Sequence, residues 1–175
     1  MELIILGAGQ YGHLVKEIAE TLGYSVKFLD DNYNADNNID GPLSSWHNYD
    51  SFFFVAIGDS NIRLKWLNTL QADGKKIATL VSKNAFISPS AKIGIGTIIE
   101  PFAVVSTGSV VGNGVFICAG AIINHNSSIG DGCHIDVNST VSAISIVPAC
   151  IKVNAGTVWK RTVFVPENYD FDAVM

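Results

Sequence analysis

The sequence predicts two unlike parts in one chain, a small α/β unit followed by a parallel β-helix, and three observations carry that reading. From Ile87 to Val153 an Ile or Val returns at every sixth residue, twelve times without a slip. The fourth position of these repeats is Gly or Asn at Gly96, Gly108, Gly114, Gly120, Asn126, Gly132, Asn138 and Gly156, and the fifth is small at most of them, as at Ala103, Ser109, Ala121, Ser127, Cys133 and Ser139. The first 80 residues lack this period and instead alternate short apolar runs with amphipathic stretches.

Leu3 to Leu6 reads as a buried strand, Gly7-Ala-Gly9-Gln-Tyr11-Gly12 as a tight turn, and His13 to Leu22 as an amphipathic helix. This is the strand, Gly-rich turn, helix order that a nucleotide-binding G-x-G-x-x-G fingerprint requires. Val26 to Leu29 is a second strand that ends in Asp30-Asp31, where a carboxylate is within reach of a ribose hydroxyl. Phe52 to Ile57 is a third, ending in Gly58-Asp59, and Asn61 to Ala72 is a helix. Lys76 to Leu80 is a fourth short strand that leads into the repeats. Taken alone, the glycines fit a plain tight turn as well as a ligand site, and the acidic residues fit solvated turns. Their joint placement at the carboxyl ends of neighbouring strands favours a site, so Gly7, Gly9, Tyr11, Gly12, Asp30, Asp31, Gly58 and Asp59 read as substrate-binding. Only one half of a dinucleotide fold is present, which favours a mononucleotide or sugar nucleotide over NAD.

A six-residue repeat is too short for a helical solenoid unit but suits one short strand and a corner, with the aliphatic residues stacked inside. Gly and Asn tolerate the positive φ that a tight corner needs. Three strands and three corners make a triangular coil of eighteen residues rising by about 4.8 Å. The expected division is an α/β Rossmann-like sugar-nucleotide domain over 1–80, a β-helix over 81–160 and a tail over 161–175.

A charged fraction of 15% and 48% hydrophobic residues describe a compact globular chain, and a net charge of -5 without a Lys/Arg cluster excludes nucleic acid and anionic membrane as partners. Cys118, Cys133 and Cys150 form no CxxC pair and are odd in number, so neither a disulfide framework nor a metal site is expected. The apolar start is too short for a membrane span and lacks a signal-peptide pattern, which makes the cytoplasm the expected location.

Two of the four histidines, His125 and His134, lie in the repeat within Ile123-Asn-His-Asn-Ser-Ser-Ile-Gly-Asp-Gly-Cys-His134, off the inward position. With the Gly-rich start, Ala56 to Arg63 (AIGDSNIR), Leu80 to Ala91 (LVSKNAFISPSA) and this segment, the chain resembles the sugar O- and N-acyltransferases of the sialic-acid and bacillosamine pathways. The resemblance implies a left-handed coil, a homotrimer, a nucleotide-sugar acceptor in the N-terminal domain and acetyl-CoA as co-substrate in a groove between adjacent β-helices. It implies His125 as general base and His134 as a second groove histidine. Asn126 stands where members carry Glu or Asp to orient that base. By the eighteen-residue stack, Ala143 lies above His125, where its N–H can meet a developing oxyanion. Members also carry at least one further coil, so the expected groove is short, with Lys152, Lys160 and Arg161 as its phosphate contacts.

The sequence therefore reads as an acetyl-CoA-dependent N-acetyltransferase acting on a nucleotide-linked amino sugar for surface glycan or polysaccharide synthesis. An O-acetyltransferase on a sialic-acid-like sugar is the near alternative. A non-catalytic sugar-nucleotide-binding trimer is the alternative from another class, motivated by Asn126 and the short finish. An NAD-dependent oxidoreductase rests on Gly7 to Gly12 alone and lacks its second half.

Overall fold

The computed structural model describes residues 1–32 and 38–160. Strand β1 (Glu2–Leu6), helix α1 (Gln10–Thr21), β2 (Ser25–Leu29), a 3-10 turn (Leu43–Asn48), β3 (Phe52–Val55), α2 (Ser60–Ala72) and β4 (Lys76–Ile77) build the N-terminal lobe. Its strands are parallel in the order β2-β1-β3-β4. Leu3, Ile5 and Phe54 face Val15 and Ile18 of α1, while Ile4, Leu6, Phe53 and Val55 face Leu70 of α2 and Trp46. Strands buried on both faces have no polar side to show, which is why these segments read as unbroken apolar runs.

Fourteen two-residue strands follow, from Leu80–Val81 to Val158–Trp159, in three parallel sheets. Every pairing is eighteen residues apart, as in Phe116 with His134, Ile122 with Thr140 and Val110 with Ser128. The coil runs one strand further at each end than the Ile/Val count showed, because Val81 and Trp159 also pack on the inner stack. The first face carries Leu80, Ile98, Phe116, His134 and Lys152; the second carries Phe86, Val104, Ile122, Thr140 and Val158; the third carries Lys92, Val110, Ser128 and Ile146. Inward hydroxyls at the small position are satisfied by a neighbouring coil: Thr97 donates to Gly112 O, Ser109 to Asn124 O and Ser127 to Ser142 O, each at 2.9 Å. A buried hydroxyl without such a partner would cost about 1–3 kcal/mol.

From Gly96 to Gly156 the fourth position of every repeat holds positive φ, including Phe102, Ile144 and Cys150, which the choice of Gly and Asn in the sequence did not reveal. There the strand pairing on either side fixes the corner, whatever residue occupies it.

The lobe sits on the first face, where Ile98 and Phe116 join the core of Leu3, Ile5 and Phe54. Arg63 locks it there. Its guanidinium is fully buried and donates to Ile57 O (2.8 Å) and Gly58 O (2.9 Å) in the lobe, and to Gly114 O (2.8 Å) and Gly132 O (2.7 Å) on successive coils. The same group lies 3.9 Å from the centre of the Phe116 ring, a cation–π contact. Leu64 and Leu67, beside it on α2, cover Gly96, Gly114 and Gly132, leaving no room for larger corner residues.

Only a planar, five-donor group reaches four carbonyls that diverge in this way. Arg63→Lys is expected to lower Tm by about 6 °C or more, because at least two charged hydrogen bonds of about 1.5–3 kcal/mol each are lost. A thermal melt of the variant that overlays the parent would reject this account.

Candidate active site

His125 stands on the corner between the second and third faces, two residues beyond the inward Ile123, so the buried side chain fixes where the exposed imidazole emerges. Its N–H donates to Asn124 Oδ1 (2.8 Å), and its carbonyl accepts from Ile144 N–H (2.9 Å) in the next coil. Asn126, held at φ 55°, places its Nδ2 3.2 Å from His125 Nδ1 and its Oδ1 over Gly108. Nε2 acts as a base when the ring proton sits on Nδ1, and Asn126 supports that tautomer when Oδ1 faces the ring. A half-turn of the amide exchanges Oδ1 and Nδ2 in the same space. One coil above, the N–H of Ala143 makes no hydrogen bond among the described residues.

His134 occupies a different place. It lies half-buried on the first face, with Nε2 3.3 Å from Cys118 Sγ and 3.9 Å from Asp136 Oδ1, and its ring packs near Tyr11 and Phe116. Burial pulls its pKa down, with Asp136 opposing, so the ring is neutral at pH 7. Within one protomer it makes no contact with His125. Cys118 is buried, and desolvation, followed by the Glu100 carboxylate, pushes its thiol far above the ordinary range. A protonated, enclosed thiol is not a nucleophile. Cys133 points inward and donates to Pro148 O at 3.0 Å, a packing role. The ligand atoms of Cys118, His134 and Asp136 lie within 4.8 Å of one another, the residue types that hold a soft cation. Asp136, however, already pairs with Lys152 at 2.9 Å, so the cluster balances its charge without one.

In the lobe, Gly7 holds φ 103°, and a Cβ on Gly12 would collide with the Gly7 carbonyl, so both glycines are demanded by the approach of α1 to β1. Gly9 is the N-cap residue of α1. Asp30 accepts Ala8 N–H (2.8 Å) and Asn32 N–H (2.9 Å), Asp31 accepts Leu43 N–H (3.1 Å), and Asp59 caps α2 through Ile62 N–H (2.9 Å). Gly58 O is taken by Arg63. These residues do gather at the carboxyl ends of β1, β2 and β3, and each acidic side chain has a scaffold partner there. Tyr11 turns away from that end. Its ring stacks on Phe116 (4.5 Å), and its hydroxyl donates to Glu100 (2.8 Å), a buried carboxylate that also accepts Ala119 N–H (2.9 Å). Burial and the neighbouring carboxylate hold the phenol protonated. Beside the edge strand β2, a cavity of about 510 Å³ is lined by His13, Lys16, Phe28 and Asp40, with the His13 ring 5.1 Å from Phe28.

The cations expected in one donor groove are not together. Lys152 is on the first face, held by Asp136, whereas Lys160 follows the last strand of the second face and so stands two coils above Asn124, one position before the column of His125. Arg161 and the 161–175 tail lie outside the described residues. Arg63 and Glu100, which fasten the two parts together, carried no assignment from sequence. Arg63 sits in the quoted AIGDSNIR segment, but nothing in its spacing marks it as buried.

Residues 2–70 match the PglD N-terminal domain. The chain superposes on the acetyltransferase domain of PglB from Neisseria gonorrhoeae FA1090, at 27% identity and TM-score 0.73, covering 91% of each chain; a second structure of that domain contains acetyl coenzyme A. It also superposes on PerB from Caulobacter crescentus in complex with CoA and GDP-perosamine, at 22% identity and TM-score 0.79, covering 92% of this chain and 89% of that one. WeeI from Acinetobacter baumannii AYE aligns at 17% identity and TM-score 0.62, covering 90% and 88%. The N-terminal match, the unbroken six-residue repeat and the likeness in fold agree with the resemblance read from the sequence, to the hexapeptide-repeat, left-handed β-helix sugar acyltransferases.

Proposed function

We propose that the protein is an acetyl-CoA-dependent N-acetyltransferase acting on a nucleotide-linked amino sugar. One observation carries the reading: an exposed imidazole, oriented by an amide, stands one coil below an unclaimed backbone N–H. The relatives known as complexes with acetyl coenzyme A or with CoA and GDP-perosamine support the choice of donor and acceptor class. The acceptor amine attacks the acetyl carbonyl as His125 Nε2 removes its proton, forming the C–N bond. Ala143 N–H meets the oxyanion. Collapse breaks the C–S bond, and the leaving thiolate takes the proton back from the imidazolium. No acyl-enzyme is needed, which suits the protonated Cys118.

In this reading the 1–80 lobe holds the acceptor, the coils of 81–160 carry the base, and the working unit is a homotrimer. Two faces are bare. The second presents Phe86, Val104, Ile122, Thr140 and Val158, a charge-free stripe with Phe86 59% and Val158 55% exposed. Packing it against another copy buries that stripe and leaves His125 at the rim, within reach of a neighbour's lobe. His134 then lines the acceptor or donor side across the interface, and Lys160 is the cation placed to meet CoA phosphate. Among the described residues no helix is long and apolar enough to cross a membrane.

His125→Ala is expected to lower kcat by about 10² to 10⁴, with the oligomer intact and acceptor affinity unchanged. Release of free CoA in the presence of UDP-, dTDP- or GDP-linked 4-amino sugars is the measurement, and a variant as active as the parent sinks the assignment. Cys118→Ser should keep kcat within about threefold, since no thiolate takes part; a loss as large as that of His125→Ala would point to a covalent route. Light scattering should give about three times 18.7 kDa. A monomer at micromolar concentration would remove the shared site.

A further inference from the structure

A cavity of about 630 Å³ between the 3-10 turn and α2 has no part in the proposed reaction. Trp46, His47, Ile62, Lys65, Trp66 and Thr69 line it. The spacing of the four α2 residues puts them on one side of the helix, while Arg63, Leu64 and Leu67 face the coils. The cavity therefore opens away from the β-helix. Its walls are mostly apolar, with Ile62 49% exposed, and none of the six residues is acidic. Lys65 is exposed beside it, and Lys75 Nζ lies 5.5 Å from the centre of the Trp46 ring. A concave aromatic site with cations at its edge suits aromatic side chains that have carboxylates next to them.

The tail of this chain has that composition. Beyond Lys160, Tyr169 and Phe171 stand among Glu167, Asp170 and Asp172, and Arg161 is the one Lys or Arg. These residues lie outside the described residues, but the point from which they start is on the page. Lys160 ends the second face, and Cys150 stands on the corner at the far end of the third face, in the same turn of the prism. One side of the prism is a six-residue repeat, about 20 Å. It runs past Ile146, which is 75% exposed. At the Cys150 corner the coils meet α2, with Cys150 Sγ 3.7 Å from Asn61 Oδ1 on its first turn. Crossing α2 to the cavity adds roughly one helix diameter, about 10 Å or three extended residues. Nine residues beyond Lys160 is Tyr169.

We propose that residues 167–172 of the chain's own tail occupy this cavity, with Tyr169 and Phe171 against Trp46 and Trp66 and the neighbouring carboxylates toward Lys65. Docked there, the tail covers Ile146 on its way and ties the upper coil to the lobe on the side of α2 opposite Arg63. Aromatic contact supplies the burial, and the carboxylates choose this opening over the other apolar surfaces of an acidic protein.

Zero-length carbodiimide coupling of the intact chain, read by mass spectrometry, should join Lys65 to Glu167, Asp170 or Asp172. Tyr169→Ser with Phe171→Ser should reduce that product about fivefold or more, and amide hydrogen exchange over Leu43–Asn48 should quicken by a similar factor. Lys65→Glu should quicken the same exchange. Adding Asp170→Lys and Asp172→Lys to it should restore the protection, a reversal that plain loss of structure does not produce. Identical exchange over Leu43–Asn48 in the parent and in the Tyr169→Ser, Phe171→Ser protein overturns the proposal. So does a Lys65 product that, in mixed ¹⁴N and ¹⁵N protein, joins light chains to heavy ones as often as to their own kind, since the occupant is then a second copy. None of these readouts depends on acetyl transfer, so they decide the docking of the tail even in a protein that proves inactive.

Discussion

A single buried guanidinium holds the two halves of this molecule in register. Arg63 enters from the first turn of α2 and spends its donors on four main-chain carbonyls, two in the lobe and two on consecutive coils. Among the described residues no carboxylate forms a salt bridge with it. The charge is dispersed over peptide dipoles and the face of Phe116, an arrangement that needs desolvated carbonyls of fixed direction. Only a stack of equivalent corners supplies these, since Gly114 and Gly132 repeat the same geometry one coil apart. The β-helix therefore provides the site that receives the lobe, and the lobe provides the ion that fits it. Tyr11 and Glu100 add a second fastening at the neighbouring corner.

This fastening decides where chemistry is possible. With the first face covered by the lobe, the imidazole on the edge between the other two faces is left open, and His134 is drawn instead into the junction with Tyr11 and Cys118. The two histidines look like partners in the sequence because they are nine residues apart, which is half a coil. Half a coil is also what separates them in space, so within a protomer they serve different surfaces.

The fold was legible because the inward Ile/Val and the Gly/Asn corners are set by local sterics that each residue reports on its own. Residues whose roles depend on what faces them were not legible. Phe102, Ile144 and Cys150 adopt corner geometry against their own preferences, and Arg63 looks like any helical arginine until the coils are placed against it. Lys152 and Lys160 are eight residues apart and both cationic, yet the first is neutralised by Asp136 on another face. Asp30, Asp31 and Asp59 stand at the strand ends where the sequence put them, and there their carboxylates accept main-chain N–H groups of the turns.

The eighteen-residue register also limits how such a chain can change in length. Losing or gaining six residues preserves the aliphatic core, because one inward slot replaces another. It would nevertheless rotate everything beyond it by one face, carrying the His125 edge under the lobe or out to the opposite side. A change of eighteen keeps every column aligned and merely lengthens or shortens the prism by about 4.8 Å. Coil number is thus free to vary in whole turns above His125. Below Gly132 it is frozen by the arginine that counts two particular rungs.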